Sequence, residues 1–62
     1  MDFGGEHVKI AVIDGQGGGI GRLIVEKLRQ ELGHRCHILA LGTNALAASV
    51  MLKAGANDGA SC

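Results

Sequence analysis

The chain has 62 residues, which is enough for one domain at most. Lys and Arg balance Asp and Glu at six each, so no net charge draws the protein to nucleic acid or to an acidic lipid surface. The chain has no Trp or Tyr and a single Phe, which excludes stacking of bases on aromatic side chains, and no apolar run is long enough to span a membrane. We therefore expect a cytoplasmic protein that binds neither nucleic acid nor membranes.

The first predicted element is a strand over residues 8–13, after a short polar lead at residues 1–6. The strand is aliphatic except for Lys9, a pattern typical of parallel strands that are covered on both faces. An Asp-Gly turn signal at residues 14–15 ends it.

A helix is predicted over residues 20–32, where apolar residues recur at helical spacing. The expected core-facing stripe consists of Ile20, Leu23, Ile24, Leu28 and Leu32. The opposite face is expected to be solvated and includes Arg29, with Arg22–Glu26 and Lys27–Glu31 spaced for ion pairs. Gly33 is placed to supply a left-handed C-cap.

A second strand over residues 37–41 and an Ala-rich helix over residues 45–54 follow. Thr43 or Asn44 can cap this helix and Gly55 ends it, while the tail beyond shows no further periodicity. The order β-α-β-α predicts an α/β fold with a two-stranded parallel sheet, in one unit over residues 1–62. Two strands are too few for a covered sheet, so we expect a fragment, half of a larger three-layer domain. The alternative is a homo-oligomer that completes the sheet.

The turn after the first strand, Asp14–Arg22, reads DGQGGGIGR and contains five glycines among residues 15–21. The start of a helix offers unpaired N–H groups and a partial positive charge, and glycines let the backbone approach an anion. The spacing fits neither G-x-G-x-x-G nor the Walker pattern. It does fit Gly-x-x-x-Gly-Ile-Gly, through Gly15, Gly19, Ile20 and Gly21. In this respect the turn resembles that of short-chain dehydrogenases, which implies a Rossmann-like unit.

Two departures from the dehydrogenase pattern argue against ordinary use of NAD. Asp14 replaces the family's Thr, and like charges about 4 Å apart repel by about 4 kcal/mol at an effective dielectric near 20. A bound divalent cation or a protonated Asp14 would relieve that repulsion. The end of the second strand, residues 41–44, also lacks the acid that binds ribose in NAD proteins, although Thr43 and Asn44 could hydrogen-bond a sugar or phosphate.

The candidate ligand is a nucleotide, NAD(P) or another, or a smaller molecule that carries phosphate. The candidate binding residues are Asp14, Gly15, Gly17, Gly18, Gly19, Ile20, Gly21, Arg22, Thr43 and Asn44. The alternative is that the glycines serve only a tight turn and its packing. Arg22 could likewise reach a phosphate or simply pair with Glu26.

The cluster His34, Cys36 and His37 is not expected to bind a metal ion, because neighbouring residues of a strand point to opposite faces. Cys36 is expected to be buried. Two cysteines, one of them the last residue, make no disulfide framework.

The runs IDGQGGGIG and ALGTN, within residues 9–58, closely resemble the start of a family of small bacterial proteins known as domain of unknown function 3842. Members of that family are about twice as long, so the resemblance implies a truncated member. The family has no assigned activity.

Three functions stay open at this point. The first is a nucleotide-binding or phosphate-binding module that uses the glycine-rich turn. The second is a structural or oligomerising fragment that binds no ligand. The third is the remnant of an NAD(P)-dependent oxidoreductase. Short-chain dehydrogenases use a Tyr and Lys pair, and this chain has no Tyr, so no catalytic residue is assigned.

Overall fold

The computed structural model describes residues 8–61, in which strands and helices alternate. The elements are β1 (Val8–Asp14), α1 (Gly19–Leu32), a 3₁₀ turn (Gly33–Arg35), β2 (Cys36–Gly42), α2 (Ala45–Ala54) and β3 (Asp58–Ser61). The predicted helices and the first two strands are all present, with ends within one residue of the prediction. No helix within these residues is long and apolar enough to cross a membrane.

The three strands form one parallel sheet in the order β1-β2-β3. Val8 lies opposite Cys36 and Asp14 opposite Gly42, so β1 and β2 pair along their whole length. The α/β class and the parallel pairing are therefore confirmed, whereas the prediction of two strands is wrong.

The third strand has no apolar pattern by which the sequence could reveal it. Its four residues, DGAS, are all exposed. Asn57 sets its start: its backbone N–H donates to the carbonyl of Ile38 at 2.9 Å, and its side-chain oxygen accepts from the N–H of Ile38 at 2.8 Å. Gly59 then lies so close to Leu52 of α2 that a Cβ would be 2.8 Å from the leucine side chain. The position of β3 is therefore set by the hydrogen bonds of Asn57 and by the close packing of Gly59 on α2, and not by an alternating hydrophobic pattern.

Both helices pack on one face of the sheet. Val25 of α1 and Met51 of α2 are fully buried and belong to one cluster with the inward-facing strand residues Val12, Ile38 and Ala40. The alternate strand residues point the other way, and no described element covers them. We call this second surface the open face; it consists of Lys9, Ala11, Ile13, His37, Leu39, Leu41, Asp58 and Ala60.

The face of α1 that enters the core differs from the predicted stripe. Gly21 and Val25 are buried and Leu28 and Leu32 are half-buried, whereas the other three members of the predicted stripe are exposed; these are Ile20, Leu23 and Ile24. A Cβ on Gly21 would lie 2.5 Å from the sulfur of Met51, so this glycine brings α1 close to α2. The side of α1 that faces the core is therefore the side that carries Gly21. Hydrophobic periodicity could not predict this side, because glycine has no apolar side chain.

Arg29 corrects a second expectation, since it is half-buried rather than solvated. Its Nε donates to the carbonyl of Gly55 at 2.8 Å. Nη1 donates to the carbonyls of Gly33 and Cys36 at 2.8 and 2.9 Å, and Nη2 donates to Oδ1 of Asn57. One guanidinium thus joins the end of α1, the start of β2 and the segment that leads into β3.

Candidate functional site

The glycine-rich turn is organised around the carboxylate of Asp14, the last residue of β1. Asp14 is only 7% exposed, and its Oδ1 accepts from the N–H of Gln16 at 2.8 Å. Its Oδ2 accepts from the N–H of Gly21, in the first turn of α1, at 2.7 Å. The carboxylate therefore closes the turn onto the helix start from the inside.

These hydrogen bonds stabilise the ionised form of Asp14. The bonds from Gln16 and Gly21 lower the pKa of the carboxyl and outweigh the opposing effect of desolvation, and the backbone of Gly18 lowers it further. Asp14 is ionised at neutral pH. In this structure backbone N–H groups, rather than a proton, stabilise the Asp14 carboxylate.

Two glycines of the turn are required by the fold. Gly18 is the N-cap of α1 with φ at 85°, a conformation that side chains disfavour, and a Cβ there would lie 3.0 Å from the backbone of Ala47. Gly21 is fixed by Met51 and by the Asp14 carboxylate, as described above. The packing interpretation of the turn holds for these two positions.

Neither backbone conformation nor packing requires the other three glycines of the turn. A Cβ on Gly17 or Gly19 would meet nothing within 4 Å, and one on Gly15 would touch only Thr43 at 4.0 Å. None of the three has a positive φ. The space in front of this backbone is open, and the fold does not require glycine there.

The backbone N–H donors of the turn also fall into two groups, those bound within the chain and those without an acceptor. Asp14 takes the N–H groups of Gln16 and Gly21, and the N–H of Arg22 donates to the carbonyl of Gly18 at 2.7 Å. Within residues 8–61, the N–H groups of Gly17, Gly19 and Ile20 have no acceptor. Three donors at the positive end of a 14-residue helix therefore face solvent.

The turn between β2 and α2 lies beside the first one. Asn44 caps α2 by accepting from the N–H of Ala47 at 2.8 Å, and its amide donates to the carbonyl of Gln16 at 3.0 Å. The N–H of Thr43 donates to the carbonyl of Asp14 at 3.1 Å, whereas the Thr43 side chain is exposed. The structure thus brings Thr43 and Asn44 next to the glycines, with the amide of Asn44 already engaged.

The remaining candidates are exposed. Ile20 has 73% of its surface exposed. Arg22 is about half exposed and lies 3.4 Å from Glu26, an arrangement that contributes little to stability.

Cys36 and the neighbouring His34 and His37 lie apart from this site. Cys36 is buried beneath the helices, while His37 is on the open face, as the strand alternation predicts. His37 lies 2.8 Å from Asp58 of β3, a contact that the sequence does not predict because it depends on the unpredicted strand. Within residues 8–61 no three His, Cys, Asp or Glu side chains converge as a metal site.

Together these features define an α/β unit with a parallel sheet and a glycine-rich turn at the carboxyl end of its first strand. The chain matches the family described as "Domain of unknown function (DUF3842)" over residues 9–62, and it belongs to that family. The resemblance that the sequence motifs suggested is confirmed. No curated protein and no solved structure matches the chain.

Proposed function

We propose that the turn Asp14–Arg22 binds the phosphate group of a small molecule, either a nucleotide or a simpler phosphate ester. The observation that carries the proposal is the set of glycines that the fold does not require. Gly17 and Gly19 stand in open space, where a side chain would be free to fit and only an approaching ligand would be obstructed.

The donors that would hold the phosphate are the N–H groups of Gly17, Gly19 and Ile20. Gly19 and Ile20 open α1 and Gly17 directly precedes its N-cap, so all three lie where the aligned peptide dipoles favour an anion. Arg22 in the same turn of the helix adds a full positive charge within reach of the ligand.

Asp14 has a positioning role in this proposal. Its carboxylate binds the inner N–H groups and so orients the outer ones toward solvent before any ligand arrives. Its negative charge also lowers the affinity for an anion, and for that reason we expect modest binding, with a Kd in the micromolar to millimolar range, or about −4 to −8 kcal/mol.

A nucleotide would need a second contact for its sugar. The exposed hydroxyl of Thr43 is about 4.0 Å from the Cβ position of Gly15, so it borders the proposed phosphate site. Asn44 holds the two turns together and is expected to act through that geometry.

Isothermal titration with ATP, NAD, NADP and inorganic phosphate tests the proposal. We expect Gly19→Val to weaken phosphate and nucleotide binding about 10-fold or more, a loss of about 1.4 kcal/mol, because the new side chain would block the donors. Gln30→Val, on the exposed face of the same helix, is the matched control and should leave the affinity unchanged. Thr43→Val should weaken only the nucleotides.

Binding of none of the four compounds would refute the proposal. So would an affinity that Gly19→Val leaves intact while circular dichroism shows a folded chain. Either result would favour the second candidate function, an interaction module that binds no small ligand. The observation that favours this candidate is the uncovered apolar surface of the sheet, where Ile13 is 71% exposed.

A further inference from the structure

The open face of the sheet is divided into an apolar half and a charged end. Two open depressions of about 520 and 280 Å³ lie along it. Ile13, Leu41 and Ala60 form the apolar half, toward the carboxyl ends of the strands. Lys9 and His37 are at the opposite end, and Asp58 lies next to His37 at the middle of the sheet.

Helix α1 carries a surface with the same division. Ile20, Leu23 and Ile24 lie on one side of its first half, and Ile20 and Leu23 are 73% and 58% exposed. Lys27 and Glu31 continue this row along the second half of the helix, 3.7 Å from each other and exposed. We call these five residues the α1 stripe.

The α1 stripe and the open face agree in size. A helix of 14 residues is about 21 Å long, and a strand of seven residues is about 23 Å long. Three strands span about 10 Å between the outer two, which is close to the diameter of one helix.

Their charges also agree when the helix runs antiparallel to the strands, as helices on parallel sheets do. Asp58 is at the level of Leu39 and Ala11, two residues or about 6.6 Å beyond Lys9 along the strands, and it lies two strands or about 10 Å from Lys9 across the sheet. Lys27 precedes Glu31 by four residues, or about 6.0 Å. A helix docked above β2 would then have Lys9 on one side, for Glu31, and Asp58 on the other, for Lys27, and the apolar halves would meet.

We propose that the α1 stripe of a second copy of this chain docks on the open face. Parallel sheets are nearly always covered by helices on both faces, so a helix is a better occupant than a second sheet. The contact joins two different surfaces and leaves one of each free at the ends. Assembly therefore continues past the dimer into a ring or a filament. This inference does not depend on phosphate binding.

Sedimentation velocity of the whole chain over a wide range of concentrations tests the inference. We expect species larger than a dimer at high concentration. Leu23→Glu in the stripe and Ile13→Glu on the open face should each weaken self-association about 10-fold or more, because each places a charge in the apolar contact. Leu46→Glu is the matched control: Leu46 is 64% exposed on α2, outside both surfaces, and its variant should assemble like the parent.

Mixing the two variants gives the sharpest result. The Leu23→Glu chain keeps its open face and the Ile13→Glu chain keeps its stripe, so together they should form a complex of one copy of each and stop there. Formation of this complex also shows that both variants fold. Lys27→Glu should weaken assembly, and Asp58→Lys in the same chain should restore it.

A wild-type chain that stays monomeric at every concentration would overturn the inference. Continued self-association of Leu23→Glu would also overturn it, because the open faces would then be pairing with each other. Failure of the two variants to combine has the same meaning if circular dichroism shows both to be folded.

Discussion

At the scale of single residues, the glycine-rich turn contains two kinds of glycine that look identical in the sequence. Gly18 and Gly21 are required by backbone conformation and by close packing, whereas Gly15, Gly17 and Gly19 border open space. The spacing of the motif was visible from the sequence, but this division was not, because it depends on the neighbours that α2 supplies. The glycines that indicate a ligand are therefore the ones that neither backbone conformation nor packing requires, whatever the total number in the turn.

The first prediction compares these glycines by substitution with alanine. Gly17→Ala should change the free energy of unfolding by less than about 0.5 kcal/mol, because the new methyl group meets nothing. Gly18→Ala should cost about 1–2 kcal/mol for the left-handed backbone alone, and more for its contact with Ala47. Urea unfolding of the three proteins measures the differences, and equal losses for both variants would contradict the division.

The second prediction concerns Asp14 and pH. Hydrogen bonds from Gln16 and Gly21 lower its pKa in the folded state, so the ionised carboxylate stabilises the fold. That contribution is complete above the pKa of the unfolded chain and is lost as the pH falls below about 4 and through the folded value.

Asp14→Asn should therefore lower the thermal midpoint at pH 7 and reduce the difference in stability between pH 7 and pH 3. Thermal unfolding of both proteins at the two values is the measurement. Glu26→Gln, at an exposed carboxyl with one long contact of 3.4 Å to Arg22, serves as the control. If Asp14→Asn had the same acid dependence as the parent chain, Asp14 would not be the group that titrates.

At the scale of elements, the boundaries of the helices and of the first two strands could be predicted, because apolar periodicity and turn residues mark them. Which side of α1 enters the core could not. A wide apolar stripe leaves the rotation of a helix open, and the close contact of Gly21 with Met51 fixed it. The same rotation exposes Leu23 and moves Arg29 inward, where it joins three segments.

The third prediction follows from that arrangement of Arg29. Arg29→Lys should lower the free energy of unfolding by about 2 kcal/mol or more, because an ammonium group cannot reach the carbonyls of Gly33, Cys36 and Gly55 together. Arg35→Lys is the matched control, since Arg35 is exposed and makes one long bond to the carbonyl of Leu32 at 3.4 Å. Urea unfolding measures both variants. Equal losses of unfolding free energy for Arg29→Lys and Arg35→Lys would contradict the role of Arg29.

At the scale of the whole molecule, the α/β class and the parallel pairing were predictable from two aliphatic strands joined by a helix. The third strand was not, because Asp58–Ser61 is a strand through its partners and not through its own composition. The open face follows from the count of elements: two helices cover one side of three strands, and the described residues provide nothing for the other. The order and number of the elements, and not a sequence motif, therefore create the surface proposed for docking.

The partners of Arg29 fall into two groups that differ widely in their distance along the chain. Gly33 and Cys36 are within seven residues of Arg29. The hydrogen bonds to their carbonyls can therefore form as soon as α1 packs against β2. The later partners of Arg29, Gly55 and Asn57, are more than 25 residues away and become available only after α2 has formed. The last strand is therefore expected to join the sheet at the end of folding and to leave it first, so that in native-state hydrogen exchange the amides of β3 lose their protection before those of β1 and β2.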